Sequence, residues 1–385
     1  MQLSAGAAEI PRGAGSRVVP EAGPAGPAGP VATSARSAQE DPGTGHAVPR
    51  SSSAKVAAPV ITGPCLIVQP IHVAGLDRLR AAGLEPRLAS GTDAETLARE
   101  VAGCVAVITR NTGFPAHAIA AAADLRVIGV HGTGTDHVAT AAATEAGIVV
   151  VNTPGANAVS VAEQTLALIF ALAKALPAAD RSVRAGDDSF KFTTRLVELA
   201  GLTLGLVGFG AIGQATARLG AALGLRVLAY GPSRADADFA NAGALRATSV
   251  DALLAEADIV SLHLPLTPST RNLIGRDQLA RMKRDAFLIN TSRGGLIDEA
   301  ALVEALEAGT IAGAGLDVFA QEPLPPGHPL ARQERAILTP HVGGSTGAAL
   351  IHTAETAATR VVDVLAGRRP SGLVNPDVWE HRRGV

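Results

Sequence analysis

From Cys65 onward the chain alternates short Val/Ile/Leu runs with Ala/Leu/Arg/Glu-rich amphipathic segments, and that rhythm admits few folds. Cys65–Val68 precedes Leu76–Ala82, Val105–Thr109 precedes Pro115–Ala123, Val127–Val130 precedes Asp136–Glu145, and Ile148–Val151 follows. Short apolar runs, each followed by a helical period, argue for βα units and a parallel sheet. A second series is expected to place strands at Leu202–Val207, Arg226–Tyr230, Asp258–Leu262, Ala286–Asn290, Ala312–Leu316 and Ala336–Leu338. Its expected helices include Ile212–Leu223, Asp251–Ala255, Arg276–Arg281, Glu299–Ala308 and Gly347–Leu365. Between the two series, Ser160-Val161-Ala162-Glu163 fits a capping box that opens a helix running to about Leu176 and stopping at Pro177. A helix this apolar is expected to pack between domains or subunits.

The 385 residues suit two domains plus a tail. Residues 1–62 are rich in Ala, Gly, Pro and Ser without any sustained period, and the expectation is a disordered tail or a non-native extension. The net charge of −2, with scattered Lys and Arg, gives no electrostatic reason to expect nucleic acid or an anionic membrane as partner. The longest apolar stretch, Thr165–Ala173, is far short of the ~20 residues a membrane span needs. Cys65 and Cys104 lie in apolar runs, so buried reduced thiols are expected, with no metal site and a cytoplasmic setting.

Four expected strands end in chemistry. Leu202–Val207 runs into Gly208-Phe209-Gly210-Ala211-Ile212-Gly213, a glycine turn that opens a helix. There Gly208 allows the tight turn, Gly210 admits a pyrophosphate, and Gly213 allows close helix–strand packing; the free amides of the helix start then receive the diphosphate of a dinucleotide. The runs ending at Asn290, Leu316 and Leu338 lead to Arg293, Glu322 and His341. In a parallel sheet all four segments share the carboxyl edge, where ligands bind. Arg293 offers a planar fork that matches a carboxylate, and His341 titrates near neutrality and so can exchange a proton with a carbonyl oxygen. Glu322 would orient the His341 ring and stabilise its charged form. That set suits hydride transfer to a 2-oxo acid.

The place for a ribose-binding carboxylate, 231 − 213 = 18 residues past the last glycine, holds Gly231, followed by Pro232, Ser233 and Arg234. Without that carboxylate, Ser233 and Arg234 are candidates for a 2′-phosphate, which favours NADP over NAD; a solvated Arg234 is the plainer reading. Val127–Val130 likewise runs into Gly132-Thr133-Gly134, a second glycine turn that presents amides to an anion. Arg110 and Asn111 follow another strand, and Arg110 is read either as a phosphate ligand or as half of a salt bridge.

With these motifs in hand, residues 65–375 resemble the D-isomer-specific 2-hydroxyacid dehydrogenases, the family of phosphoglycerate dehydrogenase and of hydroxypyruvate and glyoxylate reductases. The resemblance rests on His131–Asp136, Val151–Pro154, Gly208–Gly213, Ser261–Thr267, Asn290–Asp298, Gly315–Phe319 with Glu322-Pro323, and Thr339–Gly344. It implies an α/β architecture of two Rossmann-like, doubly wound parallel-sheet domains. The substrate domain would be discontinuous, at 63–157 plus 344–378, around a dinucleotide domain at 158–343. It implies that Asp317 holds the nicotinamide carboxamide, that Leu264, Pro265, Thr291, Gly343 and Gly344 line the cofactor, and that residues 132–134 receive the substrate carboxylate. A homodimer is usual in the family. A dinucleotide-sensing corepressor on the same fold is the rival reading, and 3-phosphoglycerate, hydroxypyruvate, glyoxylate and larger 2-oxo acids all stay open as substrates. A formate-type enzyme pairs its histidine with glutamine, against which Glu322 argues.

Overall fold

The structure is a computed structural model that describes residues 62–384; apart from Thr62, the expected tail at 1–62 lies outside the described residues. Twelve strands form two sheets. The first sheet holds β1 (Gly63–Ile67), β2 (Leu84–Leu88), β3 (Ala106–Thr109), β4 (Val127–Val130) and β5 (Val149–Val151), in spatial order β2-β1-β3-β4-β5. The second holds β6 (Thr203–Val207), β7 (Arg226–Tyr230), β8 (Ala244–Arg246), β9 (Ile259–Leu262), β10 (Phe287–Asn290), β11 (Gly313–Leu316) and β12 (Ala336–Leu338). Its order is β12-β11-β10-β9-β6-β7-β8, and every pairing in both sheets is parallel.

These strands read as near-continuous apolar runs because helices cover both faces. β3, β4, β5, β6, β9, β10 and β11 are buried at every position. The strand order reverses between β6 and β9 in the large sheet and between β1 and β3 in the small one. Each reversal opens a crevice beyond the carboxyl ends of the strands. Gly208 follows β6, and Arg110 follows β3, so each lies at such a crevice.

The long apolar helix spans Ala158–Ala173, two residues ahead of the expected start. Ser160 is therefore inside it, and its hydroxyl donates to the Gly343 carbonyl at 2.5 Å instead of capping. Pro177 does not close this helix; it sits in the first turn of another, Leu176–Ala185, after Ala175 adopts a left-handed φ of 47°. The helix Ala158–Ala173 packs on Ala211–Ala222 and on β10, β11 and β12, which explains its composition. No single described helix is long and apolar enough to cross a membrane. The helix Gly347–Leu365 returns to the first sheet, packing on Val73–Ala81 and β4, so late residues complete the early layer. Cys65 and Cys104 are buried free thiols, and burial pushes the Cys65 thiol up.

Candidate active site

The glycine turn after β6 has the geometry its spacing implies. Gly208 has φ 102°, and a Cβ there would fall 2.5 Å from the His263 carbonyl oxygen, so a side chain is excluded twice over. A Cβ on Gly213 would fall 2.4 Å from the Gly208 oxygen, which is the close helix–strand approach expected of the third glycine. A Cβ on Gly210 would meet nothing within 4 Å, leaving open space beside the start of Ala211–Ala222. Ala211 and Ile212 form that first turn. The residues therefore fit a dinucleotide diphosphate.

At the end of β7, Gly231 is buried, and a Cβ would lie 2.7 Å from the Phe209 Cβ. Phe209 stacks on Phe239 (centroids 4.5 Å apart), and the Arg246 guanidinium lies over Phe239. Arg246 also pairs with Asp236 at 2.9 Å and donates to the Arg234 carbonyl. This aromatic–cation stack underpins the Gly231–Arg234 turn. Its members are scattered along the chain and carry no spacing signal, so sequence reading missed it. Ser233 and Arg234 are exposed, and the Arg234 guanidinium has no ion-pair partner among the described residues.

Three strand ends bring the catalytic candidates together. His341 Nδ1 lies 2.6 Å from Glu322 Oε2. Burial alone would push the Glu322 carboxyl up; the hydrogen bond and charge of His341, the Phe319 amide and the Arg293 charge outweigh it and hold the group below its ordinary value. Arg293 donates through Nε to Asp136 Oδ2 at 2.6 Å and through Nη1 to the Ser292 carbonyl at 2.6 Å. A Cβ on Gly134 would fall 1.3 Å from Nη2 of Arg293, so the guanidinium sits in a notch that only glycine leaves open.

Several expected roles look different once seen in place. Asp317 is 1% exposed, and its carboxylate already accepts from Thr339 Oγ1 (2.5 Å), the Val342 amide (2.9 Å) and the Gly343 amide (2.8 Å). It fixes the loop that carries His341. The Thr291 hydroxyl is bound to Thr165 Oγ1 at 2.9 Å, so only its backbone is free to line a ligand. The Gly132 amide is committed to Thr153 Oγ1 at 3.0 Å, whereas the Thr133 and Gly134 amides meet no acceptor among the described residues. The expected helix Asp136–Glu145 begins only at Thr140, which frees Asp136 to reach Arg293. Asp136 is the residue sequence reading passed over; its place four residues past Gly132, between two amide-presenting glycines and a helix, was the available signal.

Leu264 and Pro265 follow β9 at the crevice, and the Leu264 carbonyl accepts from Ser292 Oγ at 2.5 Å. A Cβ on Gly344 would fall 2.6 Å from Asn157 Nδ2, which puts the two chain crossings between the sheets side by side. Arg110 is half-buried and donates to the Pro70 carbonyl at 2.9 Å; burial lowers its pKa, and it has no carboxylate partner among the described residues. Asn111 beside it is exposed. His131 is 8% exposed; burial first and the Arg110 charge second push its pKa down to about 4, and its Nε2 is unpaired.

Comparison with known proteins agrees with this geometry. Residues 166–343 match the family model described as D-isomer specific 2-hydroxyacid dehydrogenase, NAD binding domain. The chain is 42% identical over 265 residues to a glyoxylate reductase of Thermofilum pendens, covering 68% of this chain and 78% of that protein. It is 39% identical to a D-3-phosphoglycerate dehydrogenase of Archaeoglobus fulgidus over 80% of this chain, but spans only 59% of that protein's length. A crystal structure of an NADPH-dependent glyoxylate/hydroxypyruvate reductase from Sinorhizobium meliloti, in complex with NADP and malonate, superposes with a TM-score of 0.72 at 28% identity, covering 81% of this chain and 96% of that one. With the glycine turn and the Arg–Glu–His edge both in place, the chain belongs to the D-isomer-specific 2-hydroxyacid dehydrogenase family.

Proposed function

We propose that this chain is an NAD(P)-dependent oxidoreductase that interconverts a small (R)-2-hydroxy acid and its 2-oxo acid. The observation that carries the reading is the 2.6 Å His341–Glu322 pair, on the same sheet edge as Arg293 and the dinucleotide turn. When bound, the nicotinamide supplies or accepts the hydride at substrate C2. His341 gives a proton to the carbonyl oxygen during reduction through Nε2, the nitrogen Glu322 leaves free, and takes it back during oxidation. Glu322, ionised at neutral pH, fixes the tautomer and stabilises the imidazolium. Arg293 holds the substrate carboxylate beside the Thr133 and Gly134 amides. Asp317 has three protein hydrogen bonds out of about four lone-pair sites, which leaves one for the nicotinamide carboxamide.

NADP is favoured as the dinucleotide. The site of the usual ribose-binding carboxylate is closed by Phe209, and Arg234 is unpaired with Ser233 beside it. A desolvated Arg110 without a carboxylate partner, next to Asn111, suits an anionic or hydroxylated third carbon, so 3-phosphoglycerate and hydroxypyruvate rank ahead of larger apolar 2-oxo acids. Residues 63–157 with 344–378 would form the substrate domain and 158–343 the dinucleotide domain, closing over both ligands. The enzyme would act in the cytoplasm as a homodimer, without nucleic-acid or membrane partners.

The test is initial rates of NADPH and NADH oxidation, side by side, against hydroxypyruvate, glyoxylate, phosphohydroxypyruvate and a branched 2-oxo acid. Turnover of at least one, faster with NADPH, is expected. Tight dinucleotide binding without turnover of any would favour the sensor reading instead.

A further inference from the structure

Arg293 makes one contact that its expected role does not require. Its Nε donates to Asp136 Oδ2 at 2.6 Å, and the two side chains are only 27% and 22% exposed. Arg293 follows β10 of the seven-stranded sheet, whereas Asp136 follows β4 of the five-stranded one, so the pair ties the facing edges of the two sheets.

The guanidinium has five N–H groups in a fixed plane. Nε is taken by Asp136 and one Nη1 hydrogen by the Ser292 carbonyl, 2.6 Å away. Two anchors fix the plane. The Nη1/Nη2 end is left free, seated over Gly134, beside the unpartnered Thr133 and Gly134 amides. A carboxylate in that notch would meet two parallel N–H donors and the amide loop without displacing Asp136. Along the same edge the Arg293 charge also acts on Glu322, so charges alternate in sign from Asp136 through Arg293 and Glu322 to the His341 imidazolium.

We propose that Asp136 is a positioning residue: it holds the Arg293 guanidinium edge-on across the two sheets, so that its free end is preformed for a substrate carboxylate. The inference rests on the proposed role of Arg293. Without Asp136 the long Arg293 side chain would keep its charge but lose one of the two contacts that orient its plane. Acid binding would weaken while dinucleotide binding would not. An Asn at 136 retains a carbonyl oxygen for Nε, so it should restore most of the loss.

The experiment is a double-mutant cycle on Asp136→Ala and Arg293→Ala, with Asp136→Asn as the conservative control. The readout is the affinity of the wild type's best 2-oxo acid for the complex with oxidised dinucleotide, measured by calorimetry. That complex cannot turn over, so inactive variants remain measurable, and thermal unfolding checks that each variant is folded. Asp136→Ala is expected to weaken the acid about tenfold, Asp136→Asn about threefold or less, and neither to change dinucleotide affinity by more than about twofold. In the Arg293→Ala background, Asp136→Ala should have no further effect. Equal losses in both backgrounds, parallel loss of dinucleotide affinity, or tighter acid binding in Asp136→Ala would each overturn the positioning role. If Arg293→Ala leaves acid affinity unchanged, the carboxylate role of Arg293 fails first, and this inference fails with it.

Discussion

Asp317 and His341 are locked together twice. The His341 amide donates to the Asp317 carbonyl at 2.8 Å, and the Asp317 carboxylate takes the next two amides, of Val342 and Gly343. His341 has φ 52°, a left-handed value that costs a side-chain-bearing residue on the order of 1–3 kcal/mol and persists only where surrounding contacts enforce it. Asp317 supplies that enforcement, and it aims the imidazole at Glu322.

Replacing Asp317 should therefore damage the proton-transfer step before it damages the fold. Asp317→Asn keeps one acceptor oxygen but replaces the other with a donor facing an amide. We expect kcat to fall about 10- to 100-fold, with a stability loss of about 1–3 kcal/mol, read by steady-state kinetics and urea unfolding. A variant with wild-type kcat would remove Asp317 from the account.

Glu322 sets the pH range of the reaction. Its carboxyl is held below its ordinary value, so the stability it contributes is present above that value and lost as pH falls through the lower, folded one. Glu322→Gln removes the partner of the imidazolium. The high-pH decline of 2-oxo acid reduction should then move to lower pH by about one unit or more. An unmoved profile would mean that Glu322 does not stabilise the charged ring.

His131 gives the protein a built-in acid sensitivity. Its folded pKa of about 4 lies well below the unfolded value near 6.5. The unfolded chain binds the proton more readily, so stability is unaffected at high pH and lost as pH falls from about 6.5 towards 4. Between pH 7.5 and 5 the wild type should lose about 2 kcal/mol more than His131→Asn, measured by urea unfolding at both pH values. Equal losses would show that His131 titrates normally.

The dinucleotide pocket resists the obvious switch. A Cβ at residue 231 would lie 2.7 Å from that of Phe209, so Gly231→Asp should not create an NAD enzyme but should lower stability by about 1–3 kcal/mol through overpacking. Arg234→Ala should raise KM for NADPH and leave KM for NADH nearly unchanged. A clean preference for NADH in Gly231→Asp would contradict the packing argument.

The parts legible in the sequence are those where local pattern and tertiary role agree. β7, β12 and the helices Arg276–Arg281, Glu299–Ala308 and Gly347–Leu365 match their sequence-derived limits. Burial on both faces gave these strands long apolar runs, and Asp298 and Thr346 cap two of the helices. β2 went unread because Leu84–Leu88 is an edge strand containing Pro86 and two charges, a pattern tolerated only where one side is unpaired. β8 is another edge, three residues long. In the site, residue identity and strand-end position exposed Arg293, Glu322 and His341. The Asp136–Arg293 tie, the Asp317 lock and the Phe209–Phe239–Arg246 stack depend on how separate segments meet, which no spacing within one segment records.

The most direct test of the central claim compares wild type with His341→Ala in reduction of the preferred 2-oxo acid, alongside dinucleotide affinity measured on the same preparations. The account predicts that wild type turns over and that the variant is about 10²- to 10⁴-fold slower in kcat, with dinucleotide affinity unchanged. A His341→Ala enzyme as fast as wild type would contradict it.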